Sequence, residues 1–145
     1  MKRRLKVYFI HSSKIDYNNL LYRPILASSV CIKHELMLPQ SKNYQDKYIK
    51  DLIDKADIII AEVSEPSFGL KLELRWALKS GKPVKYISLN NEVPKKLTKL
   101  VPEIEHTRND KSIINIIEDY IEYYASMSTS DLTNTTIVLG EVEDK

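Results

Sequence analysis

Residues 57–81 read DIIIAEVSEPSFGLKLELRWALKSG, and this stretch decides the fold. DIIIAEV (Asp57 to Val63) is a near-continuous apolar run rich in β-branched residues. Such a run suits a strand covered on both faces in the middle of a parallel sheet. SEPSFG follows as a turn built around Pro66 and Gly69. LKLELRWALKSG then recurs at helical spacing and stops at Gly81, where a helix C-terminus favours glycine. A buried strand, a tight turn and an amphipathic helix in this order form a β-α unit whose turn lies at the strand's carboxyl end.

Outward from that unit, strand and helix patterns alternate. LKVYFIH (Leu5 to His11) reads as a first buried strand. Leu20, Leu21, Ile25 and Leu26 have helical spacing, with Pro24 tolerated in a first turn near Arg23. VCIKHELML (Val30 to Leu38) reads as a second strand ended by Pro39, with Cys31 a half-buried strand thiol. Tyr44, Tyr48, Leu52 and Ile53 mark a helix through Lys55. KPVKYISL supplies a fourth strand after Pro83. A short helix near Lys95 to Leu100 and a weak strand at Ile104 to His106 come next. A last amphipathic helix buries Ile113, Ile114, Ile117 and Ile121.

This alternation implies right-handed crossovers and a three-layer α/β fold. The expected architecture is an open parallel sheet of about five strands, flavodoxin- or Rossmann-like, with helices on both faces. Residues 1–125 form the expected domain. Residues 126–145, rich in Ser, Thr, Asp and Glu, read as a polar C-terminal extension with a short strand at Thr136 to Leu139.

Composition narrows the function classes. The 145 residues suit one domain, and 43% apolar with 29% charged residues is ordinary for a globular chain. The net charge is +2, with no basic stripe on one face, which argues against nucleic acid as a partner. No apolar run approaches the roughly 20 residues that span a bilayer. Cys31 is the single cysteine, so no intrachain disulfide forms, and the expected location is cytoplasmic. His11, His34 and His106 lack metal-ligand spacing, so no metal and no cofactor are expected. G-x-G-x-x-G, Walker and G-x-S-x-G motifs are absent.

Ligands of open parallel sheets sit beyond the carboxyl ends of the strands. Two turns lie there. In the first, Ser12 and Ser13 beside Lys14 offer an anion cradle, or simply a serine-capped loop. In the second, Ser67 offers a hydroxyl at a helix N-terminus. Glu73 lies one turn inside that helix. A partly desolvated carboxylate there serves as nucleophile or base, whereas an ordinary first-turn glutamate serves only the helix dipole. Glu62 sits oddly in an apolar run and is expected to face the strand's end and solvent. Trp76 is expected to pack on the sheet.

The segment from Tyr48 to Val84, and within it the AEV-x-x-PS-x-G-x-x-x-E pattern, resembles the nucleoside 2-deoxyribosyltransferase superfamily. It is most similar to the 2'-deoxynucleoside 5'-monophosphate N-glycosidase branch. KVYFIHSS and the last helix extend the likeness more loosely to Tyr124. The resemblance implies an enzyme that cleaves the N-glycosidic bond of nucleosides or their 5'-monophosphates. Glu73 would be the nucleophile, capturing an oxocarbenium-like carbon. Tyr8 would position it. Ser12 and Ser67 would bind the 5'-phosphate, with Gly69 in the same turn. Thr98 would complete that site across a homodimer.

The chain departs from the pattern in three places. Ile49 stands where the family carries the aspartate that helps protonate the leaving base; Asp46, one helical turn earlier, is the substitute expected here. His11, Ser13 and Lys14 replace a glycine-rich first turn. Lys71 replaces a glycine, adding charge for a phosphate or filling the pocket. A non-catalytic nucleotide-binding module on the same fold is the alternative. A receiver-like role lacks its acidic set, since His11-Ser12 and Glu62-Val63 stand in those places.

Overall fold

A computed structural model describes residues 3–90, 92–101 and 112–127. Four parallel strands form one sheet in the order β2-β1-β3-β4. They are β1 (Lys6–Ile10), β2 (Glu35–Met37), β3 (Ile58–Glu62) and β4 (Val84–Ile87). Four strands are thus present among the described residues, one short of the expected five, and the segment at 104–106 lies outside them. So does the C-terminal extension beyond residue 127.

Two apolar layers flank the sheet, as period-two alternation along buried strands requires. Val7, Phe9, Ile58 and Ile60 face a layer built from α1 (Arg23–Leu26), α2 (Val30–Lys33) and α5 (Ile113–Ala125). Tyr8, Ile10, Ile59 and Ala61 face α3 (Ile49–Lys55) and α4 (Phe68–Ser80). Every residue of β3 is buried, because a helix layer covers each face. Helix α4 ends as its sequence requires: Gly81 adopts φ 72°, a left-handed conformation that costs glycine nothing. Just beyond, the Lys82 ammonium donates to the Asp54 and Ala56 carbonyls at the end of α3. A cation is favoured there by the helix dipole.

The second strand is shorter than its sequence suggests. Val30–Lys33, although β-branched, forms a turn of helix, and the strand begins only at Glu35. The reason is register. Lys6 pairs with Glu35, and just before that pair the Leu5 N–H donates to the His34 ring at 3.0 Å instead of to a backbone carbonyl, so the ladder starts at Glu35. The Ser28 hydroxyl instead accepts from Val30 N–H at 3.3 Å and donates to Glu118 of α5 at 2.6 Å. Cys31 is therefore a helix residue, with its Sγ 3.2 Å from the Leu26 carbonyl. Before α1, residues Asn18–Tyr22 form a π-helical turn.

Helix α3 also starts later than expected, at Ile49, because Tyr48 is extended and Tyr44 lies in the preceding turn. In α5, Ile116 rather than Ile114 completes the most deeply buried set, and Ile114 is partly buried beside it. Trp76 is partly buried against the core layer on the α3–α4 side of the sheet, with Lys50 Nζ 5.6 Å from its ring centroid. Among the described residues, no helix is long and apolar enough to cross a membrane.

Candidate functional site

The first crossover runs from β1 to β2 on one side, and the next brings β3 to the other side of β1. The carboxyl ends of β1 and β3 therefore flank the switch in strand order, the place where ligands of such sheets bind. Tyr8 projects from β1 toward α4 and is fully buried. Its hydroxyl donates to Glu73 Oε1 at 2.8 Å. The sheet and the helix thus meet through one hydrogen bond between the two residues singled out in the sequence.

Burial governs the charge state of this pair. It pushes the Glu73 carboxyl up to about 7, although the Tyr8 hydroxyl pulls in the opposite direction. Burial also pushes the Tyr8 hydroxyl up, and the neighbouring Glu73 charge adds to that. Glu73 therefore titrates near neutrality, while Tyr8 stays a donor at every physiological pH. A poised carboxylate with a fixed donor can act as nucleophile or base.

The two turns hold their serines differently. Ser12 is buried, and its Oγ accepts from Lys14 N–H at 3.1 Å, leaving its own proton to donate. Ser67 is the N-cap of α4, and its Oγ accepts from Leu70 N–H at 3.1 Å. Gly69 lies in the first turn of α4, four residues before Glu73 and on roughly the same helix face. It needs no special φ; a Cβ built there meets nothing within 4 Å, so the space above it is open. Ser13 and Lys14 are exposed, and Lys71 is half-buried in the first turns of α4.

One other expectation changes. Asp46 is exposed in the turn before α3, not on the helix, so it shares no helical face with Ile49. The extended Tyr48 breaks the spacing on which that substitution rested. Thr98 is exposed beside a 3₁₀ turn (Lys95–Leu97), and its hydroxyl donates to the Lys95 carbonyl at 2.9 Å. Neither Asp46 nor Thr98 is brought to the Tyr8–Glu73 pair by any of these contacts.

Glu62 does not face solvent: it is 1% exposed. It accepts from Leu89 N–H at 2.7 Å and from Ser64 Oγ–H at 2.9 Å, with Ser64 N–H at 3.2 Å from each oxygen. Burial raises this carboxyl, and the Leu89 and Ser64 donors hold it down. It ties the end of β3 to the turn that leads to α4 and to the residues after β4. Replacing Ser64 with alanine removes one donor to a buried carboxylate. The expected cost is about 1–3 kcal/mol of stability, read as a lower urea midpoint. An unchanged midpoint would show that the tie carries no load.

Sequence reasoning missed one cluster. His11 follows β1 on the side of Val7 and Phe9, stacks on Tyr17 (centroids 4.7 Å apart, planes at 29°), and meets Tyr22 edge-on. Its Nε2 is 2.6 Å from the Tyr22 hydroxyl, and its Nδ1 is 3.0 Å from the Ser12 carbonyl. Gln40 N–H also donates to the Tyr22 oxygen at 3.0 Å. The tautomer follows from these partners. A carbonyl only accepts, so Nδ1 carries the proton, and Nε2 accepts from Tyr22. Burial pushes the imidazole below its usual range, with the Ser12 contact opposing, which keeps it neutral. The alternation along β1 places His11 on that face; nothing in the sequence joins it to Tyr22. Among the described residues, no group of three or more His, Cys, Asp or Glu side chains is arranged to hold a metal ion.

No protein-family model and no curated protein sequence matches the chain. Solved structures do share its fold. The CMP N-glycosidase BcmB of Clostridium botulinum superposes with a TM-score of 0.52 at 20% identity, over 79% of this chain and 98% of that one. A 2-deoxyribosyltransferase from the psychrotolerant bacterium Bacillus psychrosaccharolyticus superposes with a TM-score of 0.53 at 16% identity, over 88% of this chain and 95% of that one. The parallel sheet with helices on both faces is the fold of these two proteins.

Proposed function

We propose that this chain cleaves the N-glycosidic bond of nucleosides or their 5'-monophosphates, with Glu73 as the nucleophile. The observation that carries this reading is the 2.8 Å bond from Tyr8 to a Glu73 carboxyl poised near neutrality beside the strand switch. Two proteins of the same fold, a CMP N-glycosidase and a 2-deoxyribosyltransferase, support the reaction type.

The chemistry follows from the pair. As the base departs, positive charge develops at the anomeric carbon, and an ionised Glu73 oxygen captures it. Tyr8 holds that carboxylate in one orientation without taking its proton. Water then attacks the sugar carbon and releases the enzyme, or a second base does so in a transfer reaction. Ser12, Ser67 and the open space above Gly69 form the anion-binding side, where hydroxyl protons and the α4 N-terminus favour a 5'-phosphate. Ser13, Lys14 and Lys71 add donors and charge around it. A homodimer completing this side through Thr98, and a cytoplasmic location, belong to the same reading.

Base release from a panel of nucleosides and 5'-monophosphates, ribo and deoxy, tests it by chromatography on wild type and Glu73→Ala. Release by the wild type alone is the expected result. Equal release from both proteins removes Glu73 from the reaction.

One observation favours a second reading. Ile49, half-buried against the α3–α4 layer, offers no proton to a leaving base, and Asp46 does not replace it. A nucleotide-binding module without turnover would show saturable binding of a nucleoside phosphate and no base release from any member of the panel.

A further inference from the structure

The turn after β1 is held from its buried side by a chain of hydrogen bonds. Gln40 N–H donates to the Tyr22 oxygen at 3.0 Å, Tyr22 O–H to His11 Nε2 at 2.6 Å, and His11 Nδ1–H to the Ser12 carbonyl at 3.0 Å. All three run in one direction, because a backbone N–H only donates and a carbonyl only accepts. Tyr22 thus fixes the tautomer that His11 needs to hold Ser12. Tyr17 stacks on the imidazole and Tyr22 meets it edge-on, so the ring cannot turn over without disturbing both.

The last bond decides where the next donor points. A trans peptide sets its C=O and its N–H antiparallel, and no peptide among the described residues is cis. With the Ser12 carbonyl turned to the buried ring, the Ser13 N–H faces the opposite way, out of the aromatic stack. Ser13 is exposed, and its N–H has no acceptor among the described residues. The Lys14 N–H, by contrast, is taken by Ser12 Oγ at 3.1 Å. A free backbone donor beside the Lys14 ammonium therefore stands beyond the carboxyl end of β1, an arrangement that suits an anion.

The geometry points to His11 as a positioning residue, whose Nδ1–H sets the Ser12–Ser13 peptide so that Ser13 N–H and Lys14 receive the phosphate of a nucleoside 5'-monophosphate. This role rests on the phosphate reading of the turn given above, and neither His11 nor Tyr22 has to touch the substrate. The neutral imidazole that burial maintains is the form this chain of bonds requires.

The test follows the Ser13 amide resonance of the isotopically labelled protein during titration with inorganic phosphate. A saturable shift is expected in the wild type. His11→Leu keeps bulk but removes the donor, and its dissociation constant for phosphate is expected to rise about tenfold or more, as for loss of one hydrogen bond to a charged group. His11→Asn places an amide N–H where Nδ1–H stands, and is expected to restore affinity to within about threefold of the wild type. The remaining amide resonances show whether each variant folds. Should His11→Leu not fold, Tyr22→Phe carries the same test, since it keeps the ring but releases the tautomer. No saturable shift in the wild type, equal affinity in the variant without the donor, or no rescue by His11→Asn would each overturn the positioning role. Base release from nucleosides would then still leave Glu73 in place. A phosphate response of the expected kind with no base release from any substrate would remove the glycosidase reading and keep the positioning role.

Discussion

Replacing Glu73 with glutamine is expected to lower base release by at least about 10³-fold and, at the same time, to stabilise the protein above neutral pH. The first effect removes the attacking oxygen's charge while keeping its shape. The amide carbonyl still accepts from Tyr8, so the local packing survives. The second effect follows from the charge state. Folding raises the Glu73 carboxyl from 4.5 to about 7. The folded protein therefore holds this proton more tightly than the unfolded chain does. That contribution to stability is fully present below pH 4.5 and is lost as pH rises through about 7. A neutral glutamine does not suffer the loss. The gain is expected to approach about 3 kcal/mol at pH 8 and to vanish near pH 4. Thermal unfolding of both proteins across that range measures it. A variant less stable than wild type at pH 8 would show that Glu73 is a structural partner of Tyr8 rather than a strained functional group.

The second large effect is expected from Tyr8→Phe. The Tyr8 hydroxyl is the one group that holds the Glu73 carboxyl down against burial. Without it, Glu73 ionises only at higher pH. The rising limb of the pH–rate profile, set near 7 in the wild type, is expected to shift upward. Activity at pH 7 is expected to fall about 10²–10³-fold, as for loss of one preorganised donor. Part of the loss returns at higher pH, where Glu73 is again ionised; the remainder reflects a carboxylate no longer held in one orientation. A profile that falls uniformly without shifting would mean that Tyr8 acts by packing alone. The ring is fully buried and phenylalanine preserves it, so the fold is expected to survive.

The pair that governs both predictions was legible before any coordinates. Tyr8 and Glu73 were identified through a resemblance that centres on one β-α unit, and the fold joins them directly. Asp46 shows where such reading stops. Its spacing from Ile49 assumed a continuous helix, and an extended Tyr48 removes that helix from under it. Glu62 shows a second limit. A carboxylate in an apolar run implies an exposed end unless donors await it, and the Leu89 and Ser64 donors come partly from the chain beyond the next strand.

The sequence by itself determined the layering. Apolar periodicity distinguishes strands buried on both faces from helices buried on one, and glycine alone adopts the left-handed residue after α4 without strain. These are local or nearest-neighbour properties. Only the tertiary structure decided the extent of β2, the burial of Glu62 and the His11–Tyr22–Gln40 chain. Each depends on which strand lies beside which, and on atoms far apart along the chain meeting within about 3 Å, a distance at which a hydrogen bond either forms or does not.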